Sequence, residues 1–277
     1  MLPEKLVQQF NDLGFEIHYF KISWYNDAVA SEYFLPYPDD ALAFVVLSNP
    51  SWFEKSFLPF LANNLDPSMM DKNDDLPENH SCLTMNCRDP IDQCMRHHFD
   101  ILAKEISSTL NTEVDKIHDF ELLMPYRRPR VLLQTAAHVS GAAYYYRLPR
   151  RDKNVHKLGL CIHPEYGGWF GLRGVFVFKQ ILVPNLERKP PANVIPDIMQ
   201  QEALLKLFNE RWRDGSYRDF IPVKSRYSDL QFKYFSLEPR QRFEFIRKEI
   251  YPKLNELISS PSSSNELQNC EKSNGHH

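Results

Sequence analysis

A chain of 277 residues with 43% hydrophobic and 25% charged content has enough apolar material for a sizeable core and reads as an ordinary globular protein. Its 33 basic residues against 36 acidic ones give no bulk electrostatic case for nucleic acid or a membrane surface as partner. No apolar run approaches the roughly 20 residues of a membrane helix, and the N-terminal stretch lacks a secretory h-region, so the expected location is cytoplasmic.

The first helix is expected from about Pro3 to Leu13, stopped by Gly14 as its C-cap. "FEIHYFKISWYN" then alternates, with Phe15, Ile17 and Tyr19 opposite His18, Phe20 and Ile22. "ALAFVVLSNP" is continuously apolar, as a central strand is, and "PSWFEKSFLPFLANN" has helical spacing. Residues 66–90 follow neither period and read as a polar insertion. Helical spacing resumes through Ile91, Cys94, His98, Leu102 and Ile106, followed by a strand around Val114 to Leu123.

"TAAHVSGAAYYYR" is read as part of a helix beginning near Arg130, with Ala136, Ser140 and Ala143 on one side and Ala137 and Gly141 beside them. Such a smooth face suits either another element of the fold or a flat ligand. Tyr144, Tyr145 and Tyr146 cannot all share a helix face, because successive residues turn by about 100°. "NVHKLGLCIHPEYGGWFGLRGVFVF" reads as a β-hairpin turning near Pro164 to Gly167. Its second strand puts Phe170, Leu172, Gly174, Phe176 and Phe178 opposite Gly171, Arg173, Val175 and Val177. A proline-rich connection leads to a helix near Asp197 to Arg213, then a looser region, then a last helix to about Leu257. Residues 258–277 have the composition of a disordered tail. The expected architecture is α+β, a mostly antiparallel sheet with flanking helices, over one domain spanning 1–257.

The five cysteines, Cys82, Cys87, Cys94, Cys161 and Cys270, are odd in number and loosely spaced, which argues against a disulfide framework. Cys82 and Cys87 near His80, His97 and His98 lack the paired CxxC spacing of a structural zinc site, and no metal is expected to be held directly by the protein. Cys161 and His163 form an i,i+2 pair, but apolar flanks favour an inert thiol. Nucleotide-loop, nucleophile-elbow and zinc-protease signatures are absent. Two constellations remain. His138 offers one polar group at the edge of the small-residue face. Arg173 sits in mid-strand with few local partners, and Arg218 and Arg242 could converge with it on a small anion, guanidinium forks being suited to carboxylate or phosphate. Alternatively Arg218 pairs with Asp214 or Asp219, and Arg242 with Glu238.

"LLQTAAHVSGAAYYY", "GLCIHPEYGGWFGLRGV" and "RWRDGSYRD", with "WYN" (24–26), "PIDQC" (90–94) and "YRRPRVLLQ" (126–134), resemble the methylmalonic aciduria and homocystinuria type C family of intracellular cobalamin-processing proteins, over about residues 10 to 250. The resemblance implies a flavin-reductase or nitroreductase-like fold that binds cobalamin base-off and removes its upper axial ligand. Alkylcobalamins would be dealkylated by glutathione, and cyanocobalamin reductively decyanated with electrons from a flavin, FMN or FAD; a glutathione-driven thiol oxidase side reaction is also implied. It assigns cobalamin contacts to His138, Gly159, Ile162 and Tyr145, glutathione contacts to Arg173, Arg218 and Arg242, and flavin contacts to Tyr145, Tyr146 and Arg147. His138 is not expected to ligate cobalt, since Ala136 stands where the DxHxxG pattern of some cobalamin enzymes has Asp. The family carries glutamine beside the flavin where Arg147 stands, which ranks glutathione chemistry above flavin-dependent decyanation; the 66–90 insertion is a second departure. The resemblance further implies a type D cobalamin-trafficking partner and a possible homodimer. A non-catalytic cobalamin carrier or a nitroreductase-like flavoenzyme are the alternatives.

Overall fold

The computed structural model describes residues 1–64, 89–147 and 158–254. Most of the 66–90 insertion, the 258–277 tail and Cys82, Cys87 and Cys270 lie outside those residues. The chain divides into two compact units, Met1–Phe57 with Ile91–Ser236, and Leu58–Pro90 with Leu237–His277.

The first unit is built on a four-stranded antiparallel sheet. Helix α1 (Glu4–Asp12) ends ahead of Gly14, whose φ of +76° suits the residue that must reverse the chain. Strand β1 (Phe15–Lys21) runs into the short helix α2 (Ile22–Asn26), and β2 (Ala41–Ser48) follows, buried along its whole length. The sheet order is β1, β2, β8 (Gly171–Leu182), β3 (Asp115–His118), so the continuous apolar run of β2 is central, as its composition demands.

Helices cover both faces of that sheet. On one side the Phe44 and Phe176 rings stack at 5.0 Å, with Phe10 of α1 and Phe99 of α4 (Pro90–Leu110) edge-on to them. On the other, Ala43, Val45, Leu47, Val175 and Val177 pack with Ala136, Ala137 and Val139 of α5 (Leu133–Val139). The α+β, antiparallel architecture is the expected one. None of the described helices is long and apolar enough to cross a membrane.

Three local expectations are corrected. The expected strand over 114–123 divides, its end entering a separate pair of β4 (Leu122–Leu123) and β5 (Arg128–Pro129). Helix α5 starts at Leu133 and ends before Gly141, which takes φ +82°; the tyrosines beyond it form strand β6 (Tyr144–Tyr146), where β-propensity outweighs the preceding helical period. The expected hairpin turns at the right place, with His163 and Gly167 bridged, but its arms go to different sheets. Strand β7 (Leu160–Ile162) pairs with β6, and β8 pairs with β2 and β3.

Alternation along β6 sends Tyr145 toward the first core. Tyr146 enters a second core with Ile162, Ile195, Tyr217 and Leu204 and Leu205 of α6 (Ile198–Arg211), a helix N-capped by Asp197 through the Gln200 N–H. The looser region expected before the last helix contains α7 (Asp229–Ser236). In the second unit, α3 (Leu58–Asn64) and α8 (Pro239–Phe245) are the regular helices, α8 opening with a capping box between Glu238 and Gln241.

Candidate functional site

The small-residue face of α5 is not a platform for a flat ligand. Ala136, Ala137 and Ala143 are 0% exposed and pack on the sheet, so the helix spends its smoothness on close approach to β8. The polar edge is what remains. The backbone N–H of Tyr145 donates to His138 Nδ1 at 3.1 Å, which places the ring proton on Nε2. Tyr144 meets the imidazole edge-on at 5.0 Å. Burial, then the charges of Arg188 and Arg147, hold His138 below the ordinary imidazole range, so the ring is neutral near pH 7 with one outward donor.

Beside it, Gly159 lies flush against Tyr145. A Cβ there would come 2.5 Å from Tyr145 Cε2 and 2.8 Å from the Tyr146 carbonyl oxygen, so only glycine lets β7 and this ring lie together. The Arg147 guanidinium sits 5.7 Å from the Tyr145 ring centre. Ile162 and Tyr146 belong to the second core; the Tyr146 hydroxyl donates to Asn193 and accepts the Ile195 N–H, both at 2.9 Å. His138, Gly159 and Tyr145 are therefore brought together, whereas the Ile162 and Tyr146 side chains point into packing. The Cys161 thiol is buried, donates to the Gln134 carbonyl at 3.6 Å and is pushed up in pKa by that burial, the signature of an inert cysteine.

Arg173 owes its position to a β-bulge. Pairing of β2 with β8 passes from Val46–Gly174 to Leu47–Leu172, leaving Arg173 as the extra residue. The bulge reverses the expected alternation: Leu172 joins the side of Val175 and Val177, and Arg173 turns the other way. Its Nε donates to the Ser48 hydroxyl at 2.8 Å, and its guanidinium lies 4.7 Å from the Trp52 ring and 5.8 Å from that of Phe235. The side chain is only 7% exposed, yet no carboxylate among the described residues comes within ion-pair distance; Asp119 acts on it from farther away. Leaving a guanidinium in such a place costs several kcal/mol, and a cation–π contact returns about 2 kcal/mol. Stability alone does not account for this residue; an incoming anion would offset the deficit.

Arg218 is set up in the same way. It donates to the Gly168 carbonyl, and its guanidinium lies 5.0 Å from Tyr227, 5.1 Å from Tyr217 and 5.3 Å from Trp169. Neither local acid takes it: Asp214 binds Arg211, and Asp219 binds Arg226 and the Trp169 indole N–H. Tyr227 meets Phe235 at 5.6 Å, so one aromatic strip, Tyr227 then Phe235, joins the two arginines. This bed was missed in the sequence. Its partial signal is the aromatic run from Tyr227 to Phe235, which has no meaning until the fold sets it beside β8. Arg242 belongs to the second unit, where it pairs with Asp89 at 3.1 Å, not with Glu238, which Arg240 takes.

A third group was not anticipated. Glu16, His18 and His163 offer one oxygen and two imidazole nitrogens within 4.8 Å of one another. Although burial pushes the Glu16 carboxyl up, hydrogen bonds from His163, His18 and Tyr166 hold it far below the usual carboxylate range. The His163 ring argues against a metal. Its Nδ1 accepts the N–H groups of Glu165 at 3.1 Å and Tyr166 at 3.3 Å, so the ring proton occupies Nε2, the atom a cation would need. The group is a polar latch holding the 163–167 turn to β1, and through Gly168 it helps seat Arg218.

The profile of the methylmalonic aciduria and homocystinuria type C family matches residues 14–246. A protein of Gallus gallus named cyanocobalamin reductase / alkylcobalamin dealkylase is 45% identical over 251 residues, covering 88% of this chain and 95% of that one. The protein of the same name from Homo sapiens is 38% identical over 251 residues, 88% of this chain and 80% of its own. The crystal structure of the Caenorhabditis elegans B12-trafficking protein CblC superposes with a TM-score of 0.74 at 30% identity, covering 88% of this chain and 94% of that chain. On these grounds the chain belongs to the methylmalonic aciduria and homocystinuria type C family.

Proposed function

We propose that this protein removes the upper axial ligand of cobalamins, dealkylating alkylcobalamins with glutathione and decyanating cyanocobalamin by reduction. One observation carries the choice of co-substrate: Arg173 and Arg218 lie on a shared aromatic strip, neither with a carboxylate partner among the described residues. Glutathione brings two carboxylates and a thiol. Guanidinium forks hold carboxylates bidentately, and their charge raises the thiolate fraction of a thiol whose free pKa is about 8.5. The thiolate attacks the cobalt-bound carbon; the carbon–sulfur bond forms as the cobalt–carbon bond breaks, and its electron pair remains on cobalt. The protein contributes orientation, which converts a bimolecular encounter into a positioned one.

His138, Gly159 and Tyr145 are the cobalamin contacts in this reading, His138 through its Nε2–H at the ligand edge and not as a cobalt ligand. Ile162 would act through its main chain. The family motifs also assign a glutathione contact to Arg242, which would have to exchange Asp89 for a substrate carboxylate. For decyanation a flavin supplies the electrons, and the residues fit it in part. Tyr145 offers a ring face with the Arg147 charge over it, while the Tyr146 hydroxyl is already committed. A flavin-reductase-like fold, a cytoplasmic location, a type D trafficking partner, self-association and a thiol oxidase side reaction belong to the same proposal, on the strength of the family motifs.

Mixing the protein with methylcobalamin and glutathione without oxygen is expected to give the cob(I)alamin absorption spectrum. An unchanged spectrum with cobalamin demonstrably bound would defeat the dealkylase reading and leave a carrier.

A further inference from the structure

The His138 end of the first unit carries two positive charges, of which the flavin site involves only Arg147. Arg147 is exposed and lies over Tyr145, whose N–H fixes His138. Arg188 is exposed and lies 5.8 Å from the Trp24 ring. Neither guanidinium has a carboxylate partner among the described residues, and each contributes to keeping the imidazole neutral. Lys21, which also faces Trp24, is by contrast committed to Asp40 and the Pro184 carbonyl.

The fold holds Arg188 near this end. Its neighbour Lys189 passes so close to Gly141 that a Cβ there would meet the Lys189 carbonyl oxygen at 2.5 Å. Gly141 is the residue that turns the chain out of α5 just past His138. The carbonyls at the end of α5 do not compete for the arginines. Those of Ala136, Ala137 and His138 already accept the N–H groups of Ser140, Ala142, Ala143 and Gly141. Among the described residues, neither these guanidinium forks nor the imidazole Nε2–H has an acceptor.

We propose that Arg147, Arg188 and the Nε2–H of His138 form a phosphate-binding subsite for a nucleotide-bearing ligand. Donors arriving from three chain segments suit the tetrahedral oxygens of a phosphate better than a flat carboxylate, which one fork satisfies. Trp24 and Tyr145 supply aromatic faces beside those donors for a ring attached to the phosphate. Two sources present this chemistry: the phosphodiester in the nucleotide arm of cobalamin, and the terminal phosphate of flavin mononucleotide. The subsite rests on the proposed cobalamin function and adds the phosphate as a point of recognition.

The test compares dissociation constants of wild-type protein and the R147Q/R188Q variant for two ligand pairs, each differing in the phosphate. The pairs are cobinamide phosphate with cobinamide, and flavin mononucleotide with riboflavin. In one pair, the phosphate-bearing member is expected to lose about tenfold in affinity, the effect of removing charge-assisted hydrogen bonds. Its phosphate-free partner keeps its affinity, and the pair that responds identifies the source. Equal losses in both members, or no loss in either pair, overturns the subsite while leaving the cobalamin reading intact. A wild-type protein that binds neither corrinoid contradicts that reading instead, and the flavin pair then decides the subsite alone.

Discussion

Arg173 and Arg242 are the two arginines whose surroundings differ most, although the family motifs assign them to one ligand. Arg173 is held in the first unit by a bulge, a serine hydroxyl and two aromatic rings, with no carboxylate at ion-pair distance among the described residues. Arg242 sits in the second unit with Asp89 at 3.1 Å. In the proposed reading the first waits for an anion, while the second has an internal counter-ion to exchange. Strand context marks Arg173 in the sequence, whereas the pairing of Arg242 with Asp89 joins residues 153 positions apart and leaves no such mark.

Replacing Arg173 tests that contrast most severely. The Arg173→Met variant should lose glutathione-dependent dealkylation by about 100-fold, as expected when a positioned charge pair is removed. It should be no less stable in denaturant unfolding, because the apolar side chain removes a buried charge that Asp119 compensates only from farther away. A loss of stability would mean that Arg173 has a structural partner and is not waiting for a ligand.

Arg218→Gln should raise the KM for glutathione by about tenfold with kcat less affected, since this guanidinium is only half-buried and one hydrogen-bonded contact is at stake. Asp89→Asn should move the other way. It removes the Asp89 charge from Arg242 and should lower the same KM by about twofold to fivefold, the scale of a partly exposed ion pair. An unchanged KM would remove Arg242 from the site.

The smallest effect is one of pH, on the side of the sheet where Arg173 lies. Burial, then the neighbouring His97, pushes the His98 pKa down to about 4. Between there and the unfolded value of about 6.5, the unfolded chain binds a proton that the folded one does not, so stability falls as pH falls through this window. The slope is up to about 1.4 kcal/mol per pH unit. Although burial pushes it up, hydrogen bonds from His118 and Arg130 hold Glu121 down to about 2, so it weakens the fold only as pH falls from 4.5 toward that value. Chemical denaturation between pH 7 and 5 should show a shallower slope for His98→Asn than for wild type. Equal slopes would mean that His98 is protonated in the folded protein.

Much of the scaffold was legible because its signals are local. The unbroken apolar run of β2 identified the central strand, Gly14 and Asp197 marked helix ends, and a charge in mid-strand singled out Arg173. What failed depended on partners distant in sequence. The smooth face of α5 had two possible occupants, and only the sheet packed on it decides between them. Tyr144 to Tyr146 changed from helix to strand because Gly141 turns the chain and β7 offers a partner. The sidedness of Arg173 followed from a bulge that no alternation pattern reveals. Trp52 and Phe235, which make its bed, come from separate segments, as do Glu16 and His163.

The central claim is that Arg173 recognises a carboxylate on the attacking thiol. Initial rates of anaerobic methylcobalamin dealkylation, for wild type and Arg173→Gln, with glutathione and with the carboxylate-free thiol 2-mercaptoethanol, test it directly. The substitution should raise the KM for glutathione by at least about tenfold and leave the rate with 2-mercaptoethanol unchanged. Equal losses with both thiols would contradict it, and would make Arg173 a support of the cobalamin site instead.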